Sequence, residues 1–151
     1  MTPVLRTTGE TMGITVEQLS TVNLADHDWH PANLSGLNLD GLSFSGARMR
    51  NVEMRGVEAS NATFEHANLI MASLRGAVCI RTTFRNARAR HADFGGAILR
   101  ECDFSGADLS GATLVGAYLQ GSVFKGALAD KSTIWPEGCD PVALGVVGCP
   151  G

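Results

Sequence analysis

The sequence predicts an all-β chain wound as a four-sided coil of short parallel strands. Three observations predict it. Large apolar residues recur at every fifth position without a break. A second, mostly small or apolar residue stands two positions before each of them. Five of the six phenylalanines (Phe44, Phe64, Phe84, Phe104 and Phe124) are separated by 20 residues each.

The first series runs from Leu24 through Trp29, Leu34, Leu39, Phe44 and onward to Phe124 and Ala129, 22 positions with no charge among them. The second runs from Val22 through Ala32, Ala47, Ala67 and Ala107 to Ala127. A period of five fits neither the 3.6 of an α-helix nor the alternation of a long strand. Within each unit, however, the two apolar positions are two apart, so both side chains point to one side of a short extended segment. The residues between units must turn the chain, and the frequent glycine there, as in Gly106, Gly111, Gly116 and Gly121, supplies the backbone freedom. The 20-residue spacing of the phenylalanines means that four units return the chain to the same side, stacking the rings in one internal column. The 22 positions then make about 5.5 coils. At roughly 4.8 Å per coil the body is about 26 Å long.

Units such as Ala32-Asn33-Leu34, Ala67-Asn68-Leu69 and Ala107-Asp108-Leu109 closely resemble the pentapeptide-repeat family, whose units follow Ala-(Asp/Asn)-Leu-x-x. The resemblance covers about residues 22–134 and implies a right-handed quadrilateral parallel β-helix. It names a fold more sharply than a function, since one fold hosts many roles.

Composition agrees with a narrow, regular interior: 18 glycines and 44% hydrophobic residues, but only 6% aromatics. At 151 residues the chain suits one domain, divided into a cap (1–21), the solenoid (22–134) and a tail (135–151). In the cap, Thr15-Val-Glu-Gln18 reads as a capping box opening a short helix, with Val16 and Leu19 covering the coil end. The alternative is one imperfect coil, because Ile14 and Leu19 fall on the phase. Either protects an open strand edge. The first coil is irregular: His27 stands where alanine is usual and Trp29 enters the core. His27 is expected to point opposite to His30, so no metal site is expected there.

Residues 48–100 depart most from the rule. Glycine at the turn gives way to Asn51, Asn61, His66, Met71, Arg81, Asn86 and His91, and nine arginines stand against four acids. On the Trp29 face the outward columns read Asp28, Arg48, Asn68, Arg88, Asp108 and His30, Arg50, Ile70, Arg90, Ser110. Arg48, Arg50, Arg88 and Arg90 therefore form a basic patch, with Arg55 and Arg75 round the corner. Such a patch suits an anion or an acidic partner surface, unless Asp28 and Asp108 neutralise it. On the Leu39 face the outward column ends Val78, Ile98, Tyr118, with Ile80 beside it. An apolar stripe of this kind marks a contact surface or a place covered by the chain's own tail.

In the tail Ile134 stays on phase, and Asp140-Pro141-Val-Ala-Leu144 reads as an N-capped short helix. Trp135, Val142, Leu144, Val146 and Val147 are the expected contact residues, folding back over the stripe or meeting a second copy. In some pentapeptide-repeat proteins the carboxy-terminal end forms the dimer contact, so the resemblance keeps the second copy open beside the folded-back tail.

Nothing points to catalysis or a cofactor. No nucleophile elbow and no phosphate loop before a helix is present. A filled interior leaves no substrate cavity. The four cysteines lack Cys-x-x-Cys spacing, and the amino terminus lacks a secretory leader pattern, so a cytoplasmic location with reduced thiols is the expectation. Cys139 and Cys149 are near enough in sequence to pair only in an oxidising compartment. No apolar run of 18 residues exists, and a net charge of −3 names neither nucleic acid nor membrane as partner.

The first expected function is thus a non-catalytic scaffold binding a protein partner through a solenoid face. The resemblance supplies a second: a rod that mimics DNA, binds DNA gyrase and protects it from quinolone-type poisons. Rows of acids are required for that, yet residues 22–131 hold eleven acids and eleven bases, in a phase with no interrupting loop. A third is polyanion binding by the arginine belt, which lacks the interleaved aromatics of single-strand binders.

Overall fold

The computed structural model of the chain describes residues 2–148. Its body is a stack of coils in which single residues bridge in parallel to residues 20 further on, in four ladders. Face 1 carries the rungs Asp28, Arg48, Asn68, Arg88, Asp108, Leu128 and Val147, and face 2 runs from Asn33 to Thr113 and Ile134. Face 3 runs from Asn38 to Tyr118, and face 4 from Ser43 to Val123. Each rung is held on both sides: the Phe44 N–H donates to the Thr63 carbonyl at 2.7 Å, and the Glu58 N–H to the Leu37 carbonyl at 3.1 Å. Corners close by a bond such as Ala47 N–H to the Phe44 carbonyl, 2.9 Å.

The two apolar series fill the interior. Of the first, every member from Leu24 to Ala129 is buried except the half-buried Leu119. Phe44, Phe64, Phe84, Phe104 and Phe124 stack with centroids 4.7–5.2 Å apart and planes within 6°. Phe94 meets Phe84 and Phe104 edge-on at 5.7 Å. Two tryptophans close the column, Trp29 edge-on to Phe44 and Trp135 edge-on to Phe124. Aromatic pairs favour such offset-stacked and edge-on geometries beyond the area they bury.

The ends are capped by different devices. At the amino end a hairpin of β1 (Pro3–Arg6) and β2 (Thr11–Thr15) lays β1 antiparallel on β3 (Ala32–Asn33), giving sheet order β2-β1-β3. The hairpin covers the open edge of face 2 and buries Val4 and Ile14. The capping motif survives as a single 3-10 turn, Val16–Gln18, in which the Gln18 side chain accepts from the Thr15 N–H at 2.8 Å and Leu19 is buried. It is too short to be the expected helix. Among the described residues no helix is long and apolar enough to cross a membrane.

At the carboxy end two expectations are corrected. Ile134 does not enter the core. It bridges Thr113 at a spacing of 21 instead of 20 and points outward, while Thr133 is buried and donates to the Leu109 carbonyl at 2.9 Å. The extra residue is taken up where Asp130 accepts from the Ser132 N–H (2.9 Å) and hydroxyl (2.6 Å). The expected helix over 140–147 is a turn. Asp140 does cap it, accepting from the Ala143 N–H at 3.3 Å, but Gly145 at φ +87° ends it after one winding. Val146 then plugs the core and Val147 pairs with Leu128, so this segment adds a last rung to face 1. The pairing of Cys139 with Cys149 lies outside the described residues.

Candidate partner-binding surfaces

A local rule governs the outer surface. At many units the Asp, Asn, Ser or Thr just before the large core residue accepts, through its side chain, from the N–H two positions on. Asn33 does so for Ser35 (3.1 Å), Asp103 for Ser105 (2.9 Å), Asp108 for Ser110 (3.0 Å), and Asp28, Asn38, Asn68, Asp93 and Thr113 likewise. This is why the unit prefers Asp or Asn there: the side chain satisfies a turn N–H that no carbonyl reaches. Where face 3 carries Glu58 and Val78 instead, the previous coil substitutes. Asp40 accepts from the Ser60 N–H at 2.8 Å, and the Ser60 hydroxyl from the Ile80 N–H at 3.2 Å.

Ion pairs follow a second rule. An arginine just after its core residue reaches an acid 18 positions ahead on the next coil: Arg75–Asp93 at 3.6 Å, Arg85–Asp103 at 3.0 Å and Arg90–Asp108 at 3.5 Å. Asp103 shows the effect on titration. Partial burial pushes its pKa up, but the Ser105 hydroxyl and N–H and the Arg85 guanidinium outweigh that and hold it below the usual carboxylate range. Arg55 pairs within its own coil with Glu53 at 3.3 Å, and Arg81 with Glu101, one coil on, at 3.5 Å.

Applied to the six arginines singled out by the sequence, these rules separate them. Arg55, Arg75 and Arg90 are paired. Arg48, Arg50 and Arg88 make no ion pair among the described residues, because the 18-residue offset sets them against His30, Asn68 and Ile70. All three are exposed. Arg48 and Arg88 also occupy the position of the turn-capping residue, and among the described residues no side chain accepts from the N–H of Arg50 or Arg90 in their place. Between the two arginine rungs lie half-buried Ile70 and exposed Met71. Met71 had been read only as a turn residue. Its position on the corner beside Ile70 was present in the repeat phase.

The apolar stripe is less exposed than its sequence suggests. Val78, Ile80 and Ile98 are half-buried by their neighbours on the ladder, and only Tyr118 stands out, 54% exposed. The tail does not cover the first three. Pro136-Glu-Gly-Cys139 instead lines, with Ala117, Tyr118, Leu119 and Gln120, an open depression of about 310 Å³. Further depressions of about 290 and 150 Å³ lie at the amino end, and none is enclosed by the core.

The expected tail contacts also divide. Val146 is buried and Trp135 half-buried in the chain's own end, whereas Val142, Leu144 and Val147 are exposed. With Val115, Tyr118, Val123, Leu128 and Ile134 they make eight of the ten exposed large apolar residues described, set round all four faces at the carboxy-terminal end of the stack. Val123 and Leu128 sit at outward positions that the repeat phase already assigned, so they could have been read from the sequence.

The remaining polar chemistry is structural. His27 packs edge-on to Trp29 at 5.9 Å, and His30 lies on the surface with Nε2 3.1 Å from Asn51 Nδ2. No cluster of metal-ligating side chains occurs among the described residues. Cys102 donates to the Cys79 carbonyl at 2.7 Å. Burial pushes both thiols up, that of Cys102 to about 12. Neutral buried thiols are poor nucleophiles.

Fold and surface together define a β-solenoid whose interior is filled by apolar side chains. The chain belongs to the pentapeptide-repeat family: the family's sequence pattern, described as "Pentapeptide repeats", matches in eight copies over residues 31–65, 64–101 and 90–126. A comparison with curated proteins finds no match. Among solved structures the chain is similar to a pentapeptide repeat protein of the Arabidopsis thaliana thylakoid lumen, at 29% identity over 63% of this chain, with a TM-score of 0.43. It spans 59% of that protein's length. It is also similar to a pentapeptide repeat protein from Nostoc PCC 7120, at 27% identity over 75% of this chain and 84% of the other, TM-score 0.34. QnrB1, a plasmid-mediated fluoroquinolone resistance protein, matches at 18% identity over 79% of this chain and 90% of its own, TM-score 0.34.

Proposed function

We propose that this protein is a non-catalytic scaffold that binds protein through its outer surface, and that its carboxy-terminal end is the contact with a second copy. The observation that carries this reading is the concentration of exposed apolar residues over 115–147 at one end of the stack, where Val142, Leu144 and Val147 are exposed. Large exposed apolar patches mark contact surfaces. A coil end is also where a solenoid most needs cover. The filled core offers no enclosed room for a substrate. We take the coil to be right-handed, as parallel strand crossovers are.

Light scattering at micromolar concentration tests the reading. The expected result is a mass twice that of the chain, reduced to one chain by Leu144→Glu with Val147→Glu. A wild-type protein that stays monomeric overturns the dimer.

The gyrase reading has less support. Of the acids that would stand in for phosphates, Glu53, Asp93, Glu101, Asp103 and Asp108 are paired with arginines. Asp28, Asp93, Asp103 and Asp108 also turn an oxygen to the backbone. Acids held this way do not form the free anionic rows that a phosphate backbone presents. Gyrase supercoiling, with and without a quinolone, is expected to be unaffected by the added protein. Inhibition or protection would reinstate the DNA-mimic function.

A further inference from the structure

We propose that the middle of face 1 is a recognition site for an acidic segment of a partner protein, one that carries an apolar side chain between its acids. The inference rests on the reading of the chain as a protein-binding scaffold and names the chemistry of the partner.

Four observations converge on one spot. Arg48 and Arg50 occupy one coil, Arg88 and Arg90 the coil two rungs on, and only Arg90 has an acidic partner, Asp108. The unpaired guanidiniums are a consequence of position, since the offset that pairs Arg75, Arg85 and Arg90 with acids offers Arg48, Arg50 and Arg88 none. The rung between them presents Ile70 and Met71. Met71 is 52% exposed and held at φ +60°, a conformation disfavoured for a side-chain-bearing residue. Finally, Arg48 and Arg88 displace the residue type that caps the turn elsewhere, so local folding preference does not account for them.

Spacing and charge specify the ligand. Two rungs separate the arginine pairs by about 9.6 Å; positions i, i+2 and i+4 of an extended segment share one face and span about 13 Å, a difference that the long arginine and glutamate side chains take up. An acid, an apolar residue and a second acid laid along the stack would therefore meet Arg48 and Arg50, then Ile70 and Met71, then Arg88 and Arg90. The column is closed at both ends by Asp28 and Asp108. A long polyanion following the stack would run into those acids, whereas a short acidic segment fits between them. At the centre Asn68 is engaged with the Ile70 N–H, and Ile70 and Met71 beside it suit a leucine-like side chain and give a nucleic-acid base nothing to stack on.

The probe is a fluorescein-labelled peptide containing Glu-Ser-Leu-Ser-Glu, followed by fluorescence anisotropy at low salt. Controls carry Gln in place of both acids, or Ser in place of Leu. The expected result is that the acidic apolar peptide binds, that both controls bind more weakly, and that inorganic polyphosphate does not compete. Arg48→Asn with Arg88→Asn should weaken binding about tenfold or more, as loss of charge-assisted contacts does. Met71→Gly should weaken it less. Asparagine supplies the turn cap seen at Asn68 and glycine suits the corner, so neither variant should unfold, which thermal melting checks.

If the peptide fails to bind, or binds equally well to the arginine variant, the site is overturned. Polyphosphate binding that depends on the arginines but not on Met71 would also overturn it, in favour of a simple anion patch. None of these outcomes touches the dimer, which light scattering decides separately.

Discussion

The coils between Asp103 and Gly121 and those between Arg48 and Glu101 share one interior and differ in their outer layer. In the later stretch Asp103, Asp108 and Thr113 each cap the turn that follows, and glycine fills each left-handed corner from Gly106 to Gly121. In the earlier stretch the corners at Asn51, Asn61, His66, Met71, Arg81, Asn86, His91 and Glu101 hold φ between +55° and +60° with side chains attached. Arg48 and Arg88 replace a cap. The core series is buried in both, the half-buried Leu119 excepted. The difference teaches that the inner column fixes the coil, so the outer layer is free to depart from the favoured turn chemistry at a local cost.

If the core carries the fold, breaking it should far outweigh any surface change. Phe84 is the sharpest place, stacked on Phe64 and Phe104 and met edge-on by Phe94. Phe84→Ala should lower the unfolding free energy by about 3–5 kcal/mol, the range for a buried aromatic truncated without collapse of the site. Urea denaturation measures it. A loss under 1 kcal/mol would mean that the coil is held chiefly by its backbone ladders.

Next in size are the corners. If the earlier stretch is strained, relieving one of its turns should stabilise the protein. Met71→Gly is expected to raise the unfolding free energy by about 1 kcal/mol, since glycine takes positive φ without penalty. Gly116→Ala, in the regular stretch at φ +69° with no neighbour closer than 3.8 Å to the added carbon, should lower it by a similar amount. Equal responses of the same sign at both sites would erase the contrast between the two regions.

The contrast also explains what the sequence could and could not disclose. Inward residues were legible because the phase of five is unbroken from Leu24 to Ala129 and each inward position repeats the same demand. The slip at Ser132 was not, because it depends on Asp130 turning its carboxylate to Ser132 and on Thr133 finding the Leu109 carbonyl. Those contacts belong to one corner and have no periodic signature. The amino-terminal hairpin was missed for a related reason: its pairing partner, Ala32–Asn33, lies in the first coil, far along the chain. The arginine patch was legible as a column. Which of its members stand unpaired was not, because that follows from the 18-residue reach of a side chain across coils.

A smaller effect tests the turn caps. Arg48→Asn and Arg88→Asn each restore a side chain that accepts from the N–H two positions on, as Asn68 does for Ile70 at 3.1 Å. Each should add about 0.5–1 kcal/mol of stability, the net value of one ordinary hydrogen bond. Thermal melting of the single and double variants measures it, with additivity expected for sites two coils apart. Lower stability would show that the arginines stabilise the fold in their own right and remove one argument for a binding role.

The smallest effect separates charge from cap in the regular stretch. Asp103 serves as both, accepting from Ser105 N–H and pairing with Arg85 at 3.0 Å. Because its folded pKa is lowered, its ionised form contributes stability above the unfolded value near 4. That contribution is lost as pH falls through the folded value. Asp103→Asn keeps the cap and removes the charge. The wild type should therefore exceed the variant by a constant, small margin from pH 8 to about 5, and the margin should close below about pH 4. It should also shrink in salt, as exposed pairs do. The absence of any margin between pH 5 and 8 would mean that the side chain acts as a cap alone. The ion pairs of the regular coils would then be ornament, and the unpaired arginines of face 1 would no longer differ from them in any energetic sense.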